Sequence, residues 1–361
     1  MSTRSRTAAF ESWLSDHTEI VAADLRYKHG EMSRDPFPFL RATYYRWTEL
    51  WPEVCPDLHD ALAVLAVGDL HVENFGSWRD AEGRLAWGIN DFDEAAPLPY
   101  TNDLVRLATS ALLTAAKIKR WSLSANGVCG AILEGYRDGL KKGGRPFVIA
   151  EENTWFVPMI RKGLRDPEKF WKKLSKLPEI REKQVPDDAR ALLTAAMPDS
   201  EARLRYARRS KAGLGSLGKP RILALAEWRG GLVAREAKAL TPPASSWSGG
   251  ESKPRPYFQE IIAHAVRCPD PFLRVLGDWV VRRLAPDCSK IELSSLRRVE
   301  DQERQLYAMG WETANVHVGR GSAAMLLRDM TKRPRRWLPD AAAGMLKATK
   351  RDWKEWRSRT L

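Results

Sequence analysis

Val67-Gly-Asp-Leu-His-Val-Glu-Asn-Phe-Gly76 and, after a short turn region, Trp87-Gly-Ile-Asn-Asp-Phe-Asp-Glu94 decide how this chain is read. Each holds a cluster of acid and amide groups behind an apolar run. Ala61–Val67 (A-L-A-V-L-A-V) ends at Gly68, and Asp69, His71 and Asn74 follow at once. Arg84–Ile89 (R-L-A-W-G-I) reads as a second short strand, ending in Asn90, Asp91, Asp93 and Glu94. Apolar strands that deliver carboxylates at their tips place a polar site on rigid support.

The residue types point to a metal and a phosphate. Mg²⁺ prefers oxygen ligands and takes one or two carboxylates together with substrate phosphates. Two aspartates and an asparagine in adjoining loops supply such ligands and leave one carboxylate to orient an attacking hydroxyl. The order Asp69, Asn74, Asp91 is the order of base, amide ligand and metal aspartate in protein kinases.

These residues carry a family resemblance. G-D-L-H-V-E-N (Gly68–Asn74) resembles the G-D-x-H-x-x-N catalytic loop of aminoglycoside phosphotransferases and choline-kinase-like enzymes, and I-N-D-F-D-E-A (Ile89–Ala95) resembles their metal loop. Together with N-D-L-V-R-L-A-T-S (Asn102–Ser110) and P-F-P-F-L-R-A-T-Y-Y-R-W (Pro36–Trp47), they are similar to the uncharacterised domain-of-unknown-function family 2252, itself grouped by resemblance with the protein-kinase-like fold. The resemblance spans roughly residues 25 to 320. It implies Asp69 as the catalytic carboxylate, His71 as the loop histidine that holds the loop together, Asn74 and Asp91 as metal ligands with Asp93 beside them, and Asp103 as a prop under the catalytic loop. Two departures stand out: Val67 occupies a place where many phosphotransferases have His, and Asp93 replaces the glycine of D-F-G.

A second organised stretch is Lys211–Leu240. Gly213, Gly215 and Gly218, with Ser216 between them, spell G-x-G-x-x-G. A dinucleotide fold demands a helix next. Here the strand pattern Arg221–Trp228, a turn at Arg229-Gly230-Gly231 and the strand pattern Leu232–Ala237 follow instead. Strand, glycine loop, strand, turn, strand is the opening of a kinase small lobe, whose third strand carries a basic residue that grips phosphate. Arg235 and Lys238 are the two candidates; they face opposite ways in a regular strand, and Arg235 is preferred because it stands where family 2252 usually has Lys.

The order is unusual, because the catalytic loop precedes the glycine loop. The expected fold is α+β: a kinase-like, two-lobed and circularly permuted chain, with a mainly helical catalytic region at 1–206, a β-rich region at 207–300 and a helical segment at 301–361 that packs back on the large lobe. Residues 8–31 and 39–50 read as amphipathic helices, 290–293 as a strand, and Thr241–Lys253 as the clearest loop. Lys28 and Arg41, upstream of the site, read as phosphate contacts or, with more weight, as a solvated helix face.

Composition sets outer limits. Hydrophobic residues make up 43% of the chain and the net charge is +13, so a substantial core and anionic partners are expected. Four scattered cysteines without a C-x-x-C pair argue against a zinc site or a disulfide framework, and favour a cytoplasmic setting. No signal core and no apolar run of ~18 residues is present, so no membrane role is expected. The leading expectation is an ATP- and Mg²⁺-dependent phosphotransferase acting on a hydroxyl-bearing small molecule or protein. The alternatives are nucleotidyl transfer on the same fold, a nucleotide-binding pseudokinase or scaffold, a nucleic-acid-binding protein suggested by charge alone, and a metal hydrolase.

Overall fold

Local chemistry divides the chain into a helical part and a sheet part. The computed structural model describes residues 2–358, apart from positions 120, 212, 289, 294, 295 and 297. One position of the glycine-rich stretch, Ala212, and the last three of the basic tail therefore lie outside the described residues. The class is α+β: helices and antiparallel strands in separate layers.

Ten strands form three sheets. β1 (Ala63–Ala66) pairs antiparallel with β4 (Ala96–Pro99), and β2 (Phe75–Arg79) with β3 (Leu85–Ile89). The large sheet holds β5 (Glu179–Ile180), β6 (Arg205–Arg208), β7 (Arg221–Trp228), β8 (Gly231–Ala239), β9 (Arg274–Leu276) and β10 (Trp279–Leu284) in the order β5-β6-β7-β8-β10-β9. It therefore begins ahead of position 207. The β7–β8 hairpin turns through Arg229 and Gly230, both at positive φ (48° and 80°), the geometry that suits the right-handed twist of two paired strands.

Strand alternation gives the sheet two faces. Ile222, Ala224, Ala237, Ala239 and Val281 pack on Leu192 and Leu193 of the helix Asp187–Ala195. The other face packs Leu223, Leu225, Ala234 and Leu284 against Phe170 and Leu174 of the helix Pro167–Ser175. Glu236 and Lys238 share this second face.

The helical part centres on Tyr100–Ala115, buried along almost its whole length. Around it lie Ala125–Lys141, Val299–His317 and Trp337–Ser358. Ala125–Lys141 and Val299–His317 approach through glycines: a Cβ on Gly135 would overlap the Tyr307 carbonyl, and one on Gly310 the Ile132 carbonyl. No helix among the described residues is long and apolar enough to cross a membrane.

Several local expectations are corrected. The segment 8–31 forms two helices, Thr3–Ser15 and Ala22–Arg34, not one. Between them the Val21 N–H donates to the Gly218 carbonyl (2.9 Å), so the chain leaves the helix to meet the glycine loop. Gly30 sits inside the second helix rather than ending it. The segment 39–50 is likewise divided, into Pro36–Ala42 and Tyr44–Val54. Residues 290–293 are not a strand. Thr241–Lys253 is not a simple surface loop either: Thr241 to Ala244 are buried, and Ala244 begins a short helix, Ala244–Ser248, whose first N–H donates to a carboxylate of the cleft.

Candidate functional site

A cleft of about 980 Å³ lies between the two parts. It gathers the loop after β1, the loop after β3, the glycine loop before β7 and the inner face of the large sheet.

The loop after β1 hangs from one face of the helix Tyr100–Ala115. Asp103 in the first helical turn accepts from the Val67 N–H (2.7 Å) and the Gly68 N–H (2.9 Å). The Arg106 guanidinium is wholly buried; its Nε donates to Asp69 Oδ1 (2.8 Å), and its Nη2 donates to the Leu40 carbonyl and again to Asp69. Ser110 Oγ accepts from the Val72 N–H (3.0 Å). Positions 103, 106 and 110 follow helical spacing on one face, so a single rigid element positions the whole loop. Only Asp103 was singled out in the sequence; polar residues at i, i+3 and i+7 on an otherwise apolar helix were the signal for the other two. Asp103 is in turn fixed by His317 Nε2 (3.1 Å), whose Nδ1 meets the Tyr136 hydroxyl (2.9 Å).

Gly68 (φ +79°) is required at the head of the loop, because a Cβ would overlap the Glu94 carbonyl. Asp69 is half-buried. Burial pushes its carboxyl up from the ordinary range, against the pull of Arg106 and Arg41. Arg106 holds Oδ1, while a Cβ on Gly215 would lie 3.3 Å from Oδ2, so the glycine loop covers the other oxygen.

His71 is buried, and its Nδ1 accepts from the Glu73 N–H (3.1 Å). Burial holds its pKa well below the usual histidine value. A ring with Nδ1 used as an acceptor orders the turn.

Asn74 joins the two acidic loops. Its Nδ2 donates to the carbonyls of Asp69 and Asp91, both at 3.1 Å, which fixes the amide and leaves Oδ1 buried without a hydrogen-bond partner. An orphaned buried acceptor costs about 1–3 kcal/mol, and a hard cation would satisfy it. Asp91 and Asp93 both meet Lys238: the ammonium lies 2.8 Å from Asp91 Oδ1 and 2.6 Å from Asp93 Oδ1. This cation holds the Asp91 carboxyl far below its ordinary range. Burial beside the Asp91 charge pushes Asp93 the other way. Among the described residues no group of three or more His, Cys, Asp or Glu side chains converges at metal-holding spacing. An oxygen set of two carboxylates and one amide still fits Mg²⁺, whose remaining ligands are substrate phosphates and water.

The glycine loop lies over this chemistry. Gly213 (φ +71°) and Gly218 (φ +104°) need the freedom of glycine. Ser216 Oγ bonds the Gly213 carbonyl (3.3 Å) and Arg221 Nη2 (2.5 Å). Behind the loop, Glu236 is fully buried and pairs with Arg209, Arg221 and Arg282. These guanidiniums hold its carboxyl well below the usual range.

Of the two strand candidates, Lys238 reaches Asp91 and Asp93 in the wall of the cleft, and Arg235 does not. Arg235 lies on the other face, where Nε donates to the Ala196 carbonyl (2.8 Å) and the guanidinium sits 4.5 Å from the Phe272 ring centre. The preference for Arg235 is corrected by strand register: Lys238 shares its face with Glu236 and Ala234, and Arg235 shares the helix-packed face with Ala237. Lys28 and Arg41 are likewise not on a solvated helix face. Both line the cleft, and Arg41 pairs with Glu73 (2.5 Å).

Sequence comparison adds one finding. Residues 21–163 match the profile of a family described as an uncharacterized protein conserved in bacteria, DUF2252. The matched segment holds both acidic loops and Arg106, and stops before the glycine loop. No curated protein and no solved structure matches the chain.

Proposed function

We propose that this cleft binds ATP with Mg²⁺ and transfers a phosphoryl group to a hydroxyl of an acceptor, as a kinase-like phosphotransferase in which the sheet-bearing part follows the catalytic loop in sequence. One observation carries the reading: segments far apart in the chain meet at one point, with Lys238 of β8 on Asp91 and Asp93, and Gly215 against Asp69.

In this reading Asn74 Oδ1, Asp91 and Asp93 would hold the metal, which would supply positive charge against the nucleotide phosphates. Lys238 turns from the two aspartates to the nucleotide phosphates. The backbone of 213–218 covers them, and Ser216 stays anchored by Arg221. Asp69, oriented by Arg106, accepts a hydrogen bond from the acceptor hydroxyl and takes its proton late in transfer. His71 keeps the loop in shape. The orphaned Asn74 oxygen and the two carboxylates paired with one ammonium support the metal assignment; the buried arginines behind the loop support binding of a polyanion.

A second reading, a nucleotide-binding scaffold without transfer, is supported by the Arg106–Asp69 ion pair, which already occupies Oδ1 of the catalytic carboxylate. Thermal-shift and calorimetric titrations with ATP, ADP and Mg²⁺ on the wild type and Asp91→Ala test both. A ligand at one hundred times its Kd stabilises the folded state by about 2.7 kcal/mol. Mg²⁺-dependent stabilisation by ATP, lost in Asp91→Ala, is expected. Absence of any nucleotide effect sinks both readings. Release of ADP in the presence of an acceptor separates transfer from binding alone, and release of pyrophosphate reassigns the chemistry to nucleotidyl transfer.

A further inference from the structure

Two buried lysines that line the cleft make no ion pair among the described residues. Lys28, on the helix Ala22–Arg34, is only 4% exposed. Its ammonium donates to the Gly215 carbonyl (3.2 Å) and makes no ion pair among the described residues. Lys219, at the end of the glycine loop, is 6% exposed, and its ammonium has neither a hydrogen bond nor an ion pair among the described residues. Both line the cleft. A buried ammonium without a counter-charge is costly, and burial pulls Lys28 down to about 8. Three carboxylates, of Glu11, Glu94 and Asp69, act on Lys28 across space, each beyond ion-pair distance.

A third polar group lines the same cleft. The Tyr44 hydroxyl is buried without a hydrogen-bond partner among the described residues. It sits against Gly68, at the head of the catalytic loop, and its ring stacks 4.7 Å from the Arg106 guanidinium that holds Asp69. Lys28 and Tyr44 belong to the Gly215–Asp69 side of the cleft, and the charge of Lys219 acts on Lys28, Glu94 and Asp93. Lys238 is engaged on the Asp91–Asp93 side. Glu94 completes the wall, and its Oε2 accepts from the Ala244 N–H (2.6 Å).

We infer that Lys28, Lys219 and the Tyr44 hydroxyl form an anion site beside Asp69 that takes a phosphate group of the acceptor, so the acceptor is a phosphorylated hydroxyl compound. Two point charges and a hydroxyl donor suit a phosphate dianion better than a carboxylate, and lysine is a common phosphate partner in this role. The word acceptor rests on the transfer reading; the anion site itself does not.

The test is calorimetric titration of the full chain with inorganic phosphate and, separately, with ATP and Mg²⁺. The proteins are the wild type, Lys28→Met, Lys219→Met and Lys238→Met, each first checked by near-ultraviolet circular dichroism. Phosphate is expected to bind the wild type and Lys238→Met alike, and to bind each of Lys28→Met and Lys219→Met at least about tenfold more weakly, the loss of one charged hydrogen bond. ATP affinity is expected to stay within about threefold in those two variants and to fall in Lys238→Met. Without phosphate, Lys28→Met should melt no lower than the wild type, because it removes an uncompensated buried charge. Failure of phosphate to bind, or equal binding to all four proteins, overturns the site while leaving the nucleotide reading intact. A parallel loss of ATP and phosphate affinity in Lys28→Met and Lys219→Met assigns these lysines to the nucleotide and overturns the acceptor inference. Phosphate binding without any ATP binding retains the anion site and removes the transfer reading.

Discussion

Lys238 and Arg235 stand three residues apart on one strand, and register alone gives them different tasks. Lys238→Met is expected to weaken Mg-ATP binding roughly tenfold or more, the cost of removing a charge-assisted contact. Arg235→Met should leave nucleotide affinity within about twofold, because its guanidinium faces Ala196 and Phe272. Equal losses in paired titrations of the two variants would refute the assignment of faces. Asp69 allows a sharper separation. With Arg106 holding the side chain in place, Asp69→Asn keeps the shape and loses the base, so turnover should fall about 10²–10⁴-fold at unchanged ATP affinity. A rate near wild type would remove Asp69 from the chemistry.

At the scale of elements, glycines distinguish contact from conformation. In the pair Ala125–Lys141 and Val299–His317, Gly135→Ala and Gly310→Ala each place a methyl on an opposing carbonyl and should destabilise by about 1–3 kcal/mol. Gly30→Ala, in the middle of Ala22–Arg34 with nothing within 4 Å of the added carbon, should stabilise by about 0.5–1 kcal/mol. Denaturant melts of the three variants give the comparison, and an unchanged Gly310→Ala would mean the two helices do not pack as described. The same helix Val299–His317 carries Glu312, buried under β3, where burial raises its carboxyl to about 8. The folded protein therefore holds a proton that the unfolded chain has released above about 4.5. Stability from this group is complete below that pH and is lost as pH rises toward 8. Glu312→Gln should match the wild type at pH 4 and exceed it at pH 8 by on the order of 2 kcal/mol. Melting curves at both pH values check the sign; equal melting at pH 8 would show that Arg267 and Asn315 already compensate the charge.

For the whole molecule, the two ends of the described chain are neighbours. Thr3 Oγ1 donates to Glu355 Oε2 (2.8 Å), and Arg4 donates to the Trp356 carbonyl (3.0 Å). A short Gly/Ser linker joining these ends, with the chain opened in the exposed turn between Lys142 and Gly143, places the large sheet before the catalytic loop. Exposed turns and adjacent termini tolerate such rearrangement. The permutant is expected to fold cooperatively and keep the Mg-ATP response of the parent, because every cleft residue retains its element. A folded permutant without that response would mean that the cleft depends on connectivity through 142–143.

What could be read directly was local. An apolar run ending in glycine and carboxylates must place those carboxylates at a strand tip, and a glycine-rich stretch between strand patterns must form a loop over something. Asp69, Asn74, Asp91 and the 213–218 loop stood out on these grounds. So did the strands read at 221–228 and 232–237, the second of which runs to 231–239, whose period and turn chemistry are carried by neighbouring residues. The rest was decided by tertiary contacts between distant segments. The i, i+3, i+7 spacing groups Arg106 and Ser110 with Asp103 on one polar face, but not with the loop, some forty residues earlier, that this face supports. The strand pattern showed that Arg235 and Lys238 face opposite ways, but only the helix Asp187–Ala195, covering one face of the sheet, determined which of them meets the aspartates. The break between Thr3–Ser15 and Ala22–Arg34 arises because Val21 is held by the Gly218 carbonyl nearly two hundred residues on. Lys28 reads as a charge on a solvated helix face until packing buries it, and burial is a property of the packed molecule, not of any stretch of sequence.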